Sequence, residues 1–135
     1  MHKRLTSLFH IVALGLVMAL PMAARGETIL MMAEEPGCIW CAAWNRDVAP
    51  IYDKTGEGAA APLRRVDITD PIPDDITLER AINFTPTFVL LIDGTEMSRL
   101  EGYPGEDFFW GLLGMMLERN GVAFELRGDT QPRAQ

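Results

Sequence analysis

The feature that most constrains the fold is a pair of cysteines, Cys38 and Cys41, which are the only two in the chain. They follow a short apolar run at 28–32 and open a segment, 38–54, whose apolar residues have helical spacing. At a helix N-terminus, free backbone N–H groups and the helix dipole favour an anion, so the first thiol is expected to ionise readily. Three residues make nearly one helical turn, which places the two sulfurs side by side. We therefore expect Cys38 to attack a disulfide and Cys41 to resolve the mixed disulfide that forms.

Other uses of a cysteine pair fit the chain less well. A c-type haem site needs a histidine directly after the second cysteine, where this chain has Ala42. A zinc site needs four ligands, which only two copies of the chain together could supply as thiolates. A static structural disulfide is the main alternative, since exported proteins use such bonds, although so small a loop constrains the unfolded chain little. No metal and no cofactor are expected.

The first 26 residues have the pattern of a secretory signal peptide. Lys3 and Arg4 precede an apolar run from Leu8 to Leu20, and small residues such as Ala24 and Gly26 follow it. The run is shorter than the roughly 20 apolar residues that span a bilayer, which favours a cleaved signal over a membrane tether. We expect cleavage after Ala24 or Gly26 and export to the periplasm.

The remaining chain is expected to form one domain over 27–127 and a flexible polar tail over 128–135. Loss of the signal removes three basic residues and no acid, so the formal net charge changes from −7 to −10. Such an acidic chain is a poor partner for nucleic acid. Both histidines also leave with the signal, which excludes a Ser-His-Asp triad, a Cys-His protease and any histidine metal ligand.

The apolar pattern predicts an α/β fold with the order βαβαββα and a mixed four-stranded sheet that carries helices on both faces. Asp93-Gly94 predicts a tight hairpin turn between the last two strands. Predicted strands are Thr28–Met32, Leu63–Ile68, Thr87–Ile92 and Thr95–Leu100, and predicted helices are 38–54 with a kink at Pro50, 76–82 and 106–119.

Several large side chains are expected to be core. In the last helix, the residues repeating at helical spacing are Phe108, Leu112, Met115 and Met116. Trp44, one turn after Trp40, is also expected to pack inside the domain.

The chain resembles the thioredoxin superfamily over residues 28–120. The likeness rests on Cys38-Ile39-Trp40-Cys41 after the first strand, on Thr85-Pro86-Thr87 before the hairpin, and on Gly102 before the last helix. It implies that Pro86 is cis and lies beside the cysteines, and that the backbone of Thr85 pairs with the extended chain of a substrate. Trp40, between the cysteines, is expected to be partly exposed as a docking surface.

The sequence also departs from the superfamily at one position. Thioredoxins carry a buried acid six residues before the first cysteine, and this chain has Met32 there. Water, Glu34 or Glu35 would then have to accept the proton of Cys41.

A narrower likeness points to one group within the superfamily. The signal sequence, residues 36–41, Trp44 and residues 48–52 resemble the periplasmic thioredoxins of bacterial sulfur oxidation. The resemblance implies a reductase that frees a blocked cysteine on the sulfur-carrier protein of that pathway.

Acidic and apolar neighbours of the cysteines predict the direction of electron flow. Glu34, Glu35 and the Ile39-Trp40 pair disfavour a thiolate, and a less stable thiolate makes the disulfide less oxidising. We therefore expect a reductase or exchange enzyme, which in an oxidising compartment needs a transmembrane thiol carrier as electron donor. The alternatives are a binding or assembly module with a static bridge, a general periplasmic oxidase or isomerase, and a reductase of cytochrome c maturation.

Overall fold

Four strands form one mixed sheet in the computed structural model, which describes residues 26–126. The spatial order is β2-β1-β3-β4, with β1 parallel to β2 and antiparallel to β3, and with β3 antiparallel to β4. The α/β class and the mixed four-stranded sheet predicted from the sequence are thereby confirmed. The strands are β1 Thr28–Glu34, β2 Leu63–Asp67, β3 Thr87–Ile92 and β4 Thr95–Glu101.

Residues 1–25, with most of the predicted signal peptide, and residues 127–135, with the predicted tail, lie outside the described part of the chain. Between residues 26 and 126, no helix has the length and apolar character needed to cross a bilayer.

The hairpin between β3 and β4 forms at the predicted turn. Asp93 and Gly94 both have positive φ, 51° and 75°, the backbone that a two-residue turn of type I′ requires. The central strand β3 is buried along nearly all of its length, which explains its continuous apolar sequence.

Residues 38–54 form two short helices where the sequence predicted one kinked helix, and a third short helix, which was not predicted, follows at 56–60. The first, α1, spans Ile39–Asp47 and ends where the N–H of Val48 donates a hydrogen bond to the backbone carbonyl of Trp44. Pro50 has no N–H to continue the ladder, but it is tolerated in the first turn of the next helix, where none is needed. The helices of the described chain are α1, α2 Ala49–Tyr52, α3 Gly56–Ala60 and α4 Glu106–Arg119.

One face of the sheet packs against the helices through an aromatic core. Trp44 has no exposed surface, as predicted, and its ring lies 5.4 Å from Phe88 and 5.8 Å from Phe109 between ring centroids. Such tilted and edge-to-face contacts hold α1 and α4 together over β3. The sheet residues of this face include Leu30 and Met32.

The prediction for the buried face of α4 is wrong at Phe108 and Met115. Their exposed fractions are 70% and 43%, and Leu112 is only half-buried. The helix is rotated by about one residue relative to the prediction, so it buries Phe109, Trp110, Leu113, Met116 and Leu117. Both sets of residues have helical spacing, and the structure buries the set that contains Trp110 as well as a phenylalanine.

The predicted helix at 76–82 is also wrong, and with it the prediction of helices on both faces. This segment is extended, with Thr77 bridging Thr95 of β4. Its apolar residues cover the second sheet face, where Ile76 is buried against Met31 and Val89. An extended chain reaches about 3.3 Å per residue against 1.5 Å in a helix, so few residues can cover a wide sheet face. We call residues 68–84 the covering segment.

Candidate functional site

Cys38 and Cys41 form a disulfide at the start of α1. Their sulfurs are 2.14 Å apart and their Cα atoms 5.3 Å apart. Cys38 is the N-cap of the helix, and its Sγ accepts a hydrogen bond from the N–H of Cys41 at 3.0 Å. Cys41 is buried with 4% exposure, whereas Cys38 is half-buried. Cys38 is therefore the sulfur that a partner can reach.

A tight turn places Cys38 at the helix N-terminus. Gly37 has φ +79°, a left-handed conformation that side chains rarely adopt, and the N–H of Cys38 donates to the carbonyl of Glu35. In the reduced protein, the same helix N-terminus favours a thiolate on Cys38.

The Thr85–Pro86 peptide bond is cis, as the resemblance implied. Pro86 is buried, and its carbonyl accepts a hydrogen bond from the N–H of Gly102 at 2.7 Å. Between residues 26 and 126, neither the N–H nor the C=O of Thr85 bonds to another backbone group. The loop thus presents an unpaired stretch of backbone immediately before β3, of the kind that can pair with an added strand.

Glu35 joins the cysteine turn to this loop. One of its carboxylate oxygens accepts a hydrogen bond from the hydroxyl of Thr85 at 2.6 Å, while its carbonyl accepts from Cys38. Glu35 was predicted from the sequence only as a possible proton acceptor for Cys41, and its contact with Thr85 was not predicted.

Glu34 makes a different contact, with Arg65 on the neighbouring strand. The guanidinium donates to both carboxylate oxygens of Glu34 at 2.7 Å, also bonds Asn45, and lies 5.8 Å from the ring centroid of Trp44. The hydrogen bond to Glu34 raises the pKa of Arg65. The Glu34–Arg65 ion pair is electrically neutral as a whole. Met32, two residues before Glu34 on the same strand, has no exposed surface.

Tyr103 fixes the loop after β4 to the end of α1. Its hydroxyl donates to a carboxylate oxygen of Asp47 at 3.2 Å, and its ring meets that of Phe109 edge-on. Burial, together with the neighbouring Asp47, raises the pKa of Tyr103 to about 12. Local sequence pattern carries no signal for this contact, because Tyr103 and Asp47 are 56 residues apart in the chain.

Large apolar side chains are exposed on the elements that carry the disulfide and the cis proline. Trp40 is 57% exposed, in agreement with the prediction, and Ile39 is 72% exposed. Phe84, just before Thr85, is 63% exposed, and its exposure was not predicted from the sequence. Exposed groups of this size commonly mark protein-binding surfaces.

A disulfide at the start of the first helix and a cis proline before the third strand, on a mixed four-stranded sheet, define a thiol-disulfide oxidoreductase of the thioredoxin fold. The chain shares 49% sequence identity with the periplasmic thioredoxin SoxS from Paracoccus pantotrophus, whose crystal structure is of the reduced form. The match has a TM-score of 0.68 and covers 70% of this chain and 99% of that chain. The protein belongs to the SoxS family of thioredoxins. No protein-family model matches the chain, and no curated protein matches it.

Proposed function

We propose that this thioredoxin is a periplasmic reductase that restores a blocked or oxidised cysteine on a partner protein. The observation that carries the proposal is the asymmetry of the cysteine pair: Cys38 is half-buried and open to a partner, while Cys41 is buried. An accessible attacking sulfur and a protected resolving sulfur are what a mixed-disulfide mechanism needs.

The reaction proceeds in two exchange steps. In the reduced protein, the Cys38 thiolate attacks the substrate sulfur, a disulfide forms between them, and the blocking thiol leaves as a thiolate that takes up a proton. Cys41 then loses its proton and attacks the Cys38 sulfur, which releases the substrate cysteine as a thiolate. The products are a reduced substrate and the Cys38–Cys41 disulfide of the present structure.

Three residues have substrate-binding roles in this proposal. The unpaired backbone of Thr85 hydrogen bonds to the extended substrate chain, and cis Pro86 shapes the loop that presents it. Trp40 adds exposed apolar surface next to the sulfurs.

The partners follow from the family and from the compartment. A leader at 1–26 directs the chain to the periplasm, the compartment of the similar periplasmic thioredoxin SoxS. The proposed substrate is the cysteine-bearing sulfur-carrier protein of sulfur oxidation. Because the periplasm is oxidising, a transmembrane thiol carrier must return two electrons to the disulfide after each turnover.

Trapping tests the mechanism. The Cys41→Ser variant keeps the attacking sulfur and cannot complete the second step, so it should accumulate mixed disulfides with its substrate in a periplasmic extract. The Cys38→Ser/Cys41→Ser variant is the matched control and should trap nothing. Equal recovery with both variants, or no dithiol-sensitive adduct with Cys41→Ser, contradicts the mechanism.

The reduction potential tests the direction of electron flow. Equilibration with a glutathione redox buffer should give a potential well below the roughly −120 mV of a strong periplasmic oxidase. A value near −120 mV would make the protein an oxidase. A disulfide that reacts only after unfolding would make it a static bridge.

A further inference from the structure

Glu35 lies beside the cis-proline loop, next to the backbone to which a substrate chain would bind. The antiparallel pairing of β1 with β3 ends at Ala33 and Thr87, and the same register extended by two residues places Glu35 opposite the unpaired Thr85. The Thr85 hydroxyl then donates to the Glu35 carboxylate at 2.6 Å and holds it beside the unpaired backbone of Thr85. The carboxylate is therefore held beside the backbone with which, in the proposed function, the substrate chain pairs.

The charge of Glu35 is not compensated in the part of the chain that the structure describes. Among residues 26–126, no lysine or arginine forms an ion pair with it. The neighbouring acid Glu34 is neutralised by Arg65 at 2.7 Å. Glu35, three residues before Cys38, thus leaves an uncompensated negative charge beside the cis-proline loop, on a side chain that is exposed to solvent.

We propose that Glu35 is a specificity-determining residue that selects target cysteines flanked by Lys or Arg and disfavours those flanked by Asp or Glu. The inference rests on the proposed function, in which a substrate strand pairs with the backbone of Thr85. Paired strands lie about 4.8 Å apart, so a side chain beside the target cysteine comes within a few ångströms of the carboxylate. Attraction at that distance between partly exposed charges is modest in water and is screened by salt.

Two short peptides test the selection. They have the same sequence except that the cysteine is flanked by two Lys in one and by two Glu in the other, and both are blocked as mixed disulfides with the same small thiol. The reduced protein attacks the peptide sulfur through Cys38 and expels that thiol, which gives a second-order rate constant. At low salt we expect the Lys peptide to react about 10-fold faster, and at about 0.5 M salt only about 2-fold faster.

Matched variants assign the preference to Glu35. Glu35→Gln keeps an oxygen that can accept from Thr85 and removes the charge, so the low-salt ratio should fall to about 2-fold. Glu118→Gln removes an equal charge near the far end of α4, about 18 Å along the helix from its start, and should keep the ratio near 10-fold. Thr85→Val keeps the charge and frees the carboxylate, so its ratio should lie between these two values.

The outcomes separate the two proposals. Equal rates for the two peptides, or a ratio that Glu35→Gln and Glu118→Gln change equally, would overturn the role of Glu35 and leave the reductase mechanism standing. Failure of both peptides to react would overturn the mechanism itself and this inference with it.

Discussion

Replacing Met32 by aspartate tests how completely the core beneath the disulfide excludes charge. Met32 has no exposed surface and lies in the core cluster formed by β1, β3, α1 and α4. It occupies the position at which thioredoxins carry a buried acid, so Met32→Asp restores the family's residue type in an apolar setting. Asparagine has nearly the same shape as aspartate and cannot ionise, which makes Met32→Asn the matched control.

The two variants share the loss of methionine packing, which costs about 2–5 kcal/mol of the free energy of unfolding. Only the aspartate adds a penalty for a buried charge. If burial raises the pKa of the aspartate by about 3 units from the ordinary 3.9, the penalty reaches about 4 kcal/mol at a pH where the side chain is ionised in both the folded and the unfolded state. Because the folded-state pKa is the higher one, the penalty is absent below about pH 4, grows as the pH rises, and is complete above about pH 7.

Urea unfolding of the oxidised variants at about pH 5 and about pH 8 measures this difference. Relative to Met32→Asn, Met32→Asp should lose about 1.5 kcal/mol at the lower pH and about 4 kcal/mol at the higher pH. An aspartate variant that is folded at pH 5 and unfolded at pH 8 agrees with the same reasoning. A constant difference between the variants would refute it, and would show that water or a cation reaches this position.

Three further predictions concern other parts of the fold. Arg99→Met should cost about 3–5 kcal/mol at neutral pH, because it leaves the buried carboxylate of Glu96 without the guanidinium 2.6 Å away. The hydrogen bond from Arg99 lowers the pKa of Glu96, so this stabilisation is present at neutral pH and is lost as the pH falls through that lowered pKa. The free energies of unfolding of wild type and Arg99→Met, measured by urea titration, should therefore converge in acid. Phe109→Ala should cost about 3–5 kcal/mol and Phe108→Ala within about 0.5 kcal/mol, and equal losses in thermal unfolding would contradict the orientation of α4. The phenol of Tyr103, with its pKa raised to about 12, should remain protonated at about pH 11 in the folded protein, where ultraviolet titration of wild type and Tyr103→Phe should coincide.

The features that the sequence predicted correctly are those set by neighbours in the chain. The strand β3, the Asp93-Gly94 turn and the bounds of α4 depend on local apolar pattern and on backbone conformations that few residues adopt. The disulfide follows from a spacing of three residues at a helix start. The cis peptide before Pro86 came from the family resemblance.

The features that the sequence missed depend on contacts between distant segments. The covering segment is extended because Thr77 pairs with Thr95 and because Arg99 donates to two of its carbonyls, and neither contact is visible in local propensity. The face of α4 was misjudged because two overlapping stripes have helical spacing, and only packing against the aromatic core selects between them. The bond between Glu35 and Thr85 spans 50 residues of sequence.

The extended covering segment has a consequence for how the protein opens. Its backbone lacks the internal hydrogen bonds of a helix and is fastened to the sheet by a few contacts, such as Arg64 with Asp75 and the Arg99 guanidinium with the carbonyls of Arg80 and Ala81. Its amides should therefore exchange with deuterated solvent sooner than those of β1 and β3, which form the slowest-exchanging unit. Since the segment leads directly into Thr85, each such local opening also loosens the loop to which the proposed client chain binds.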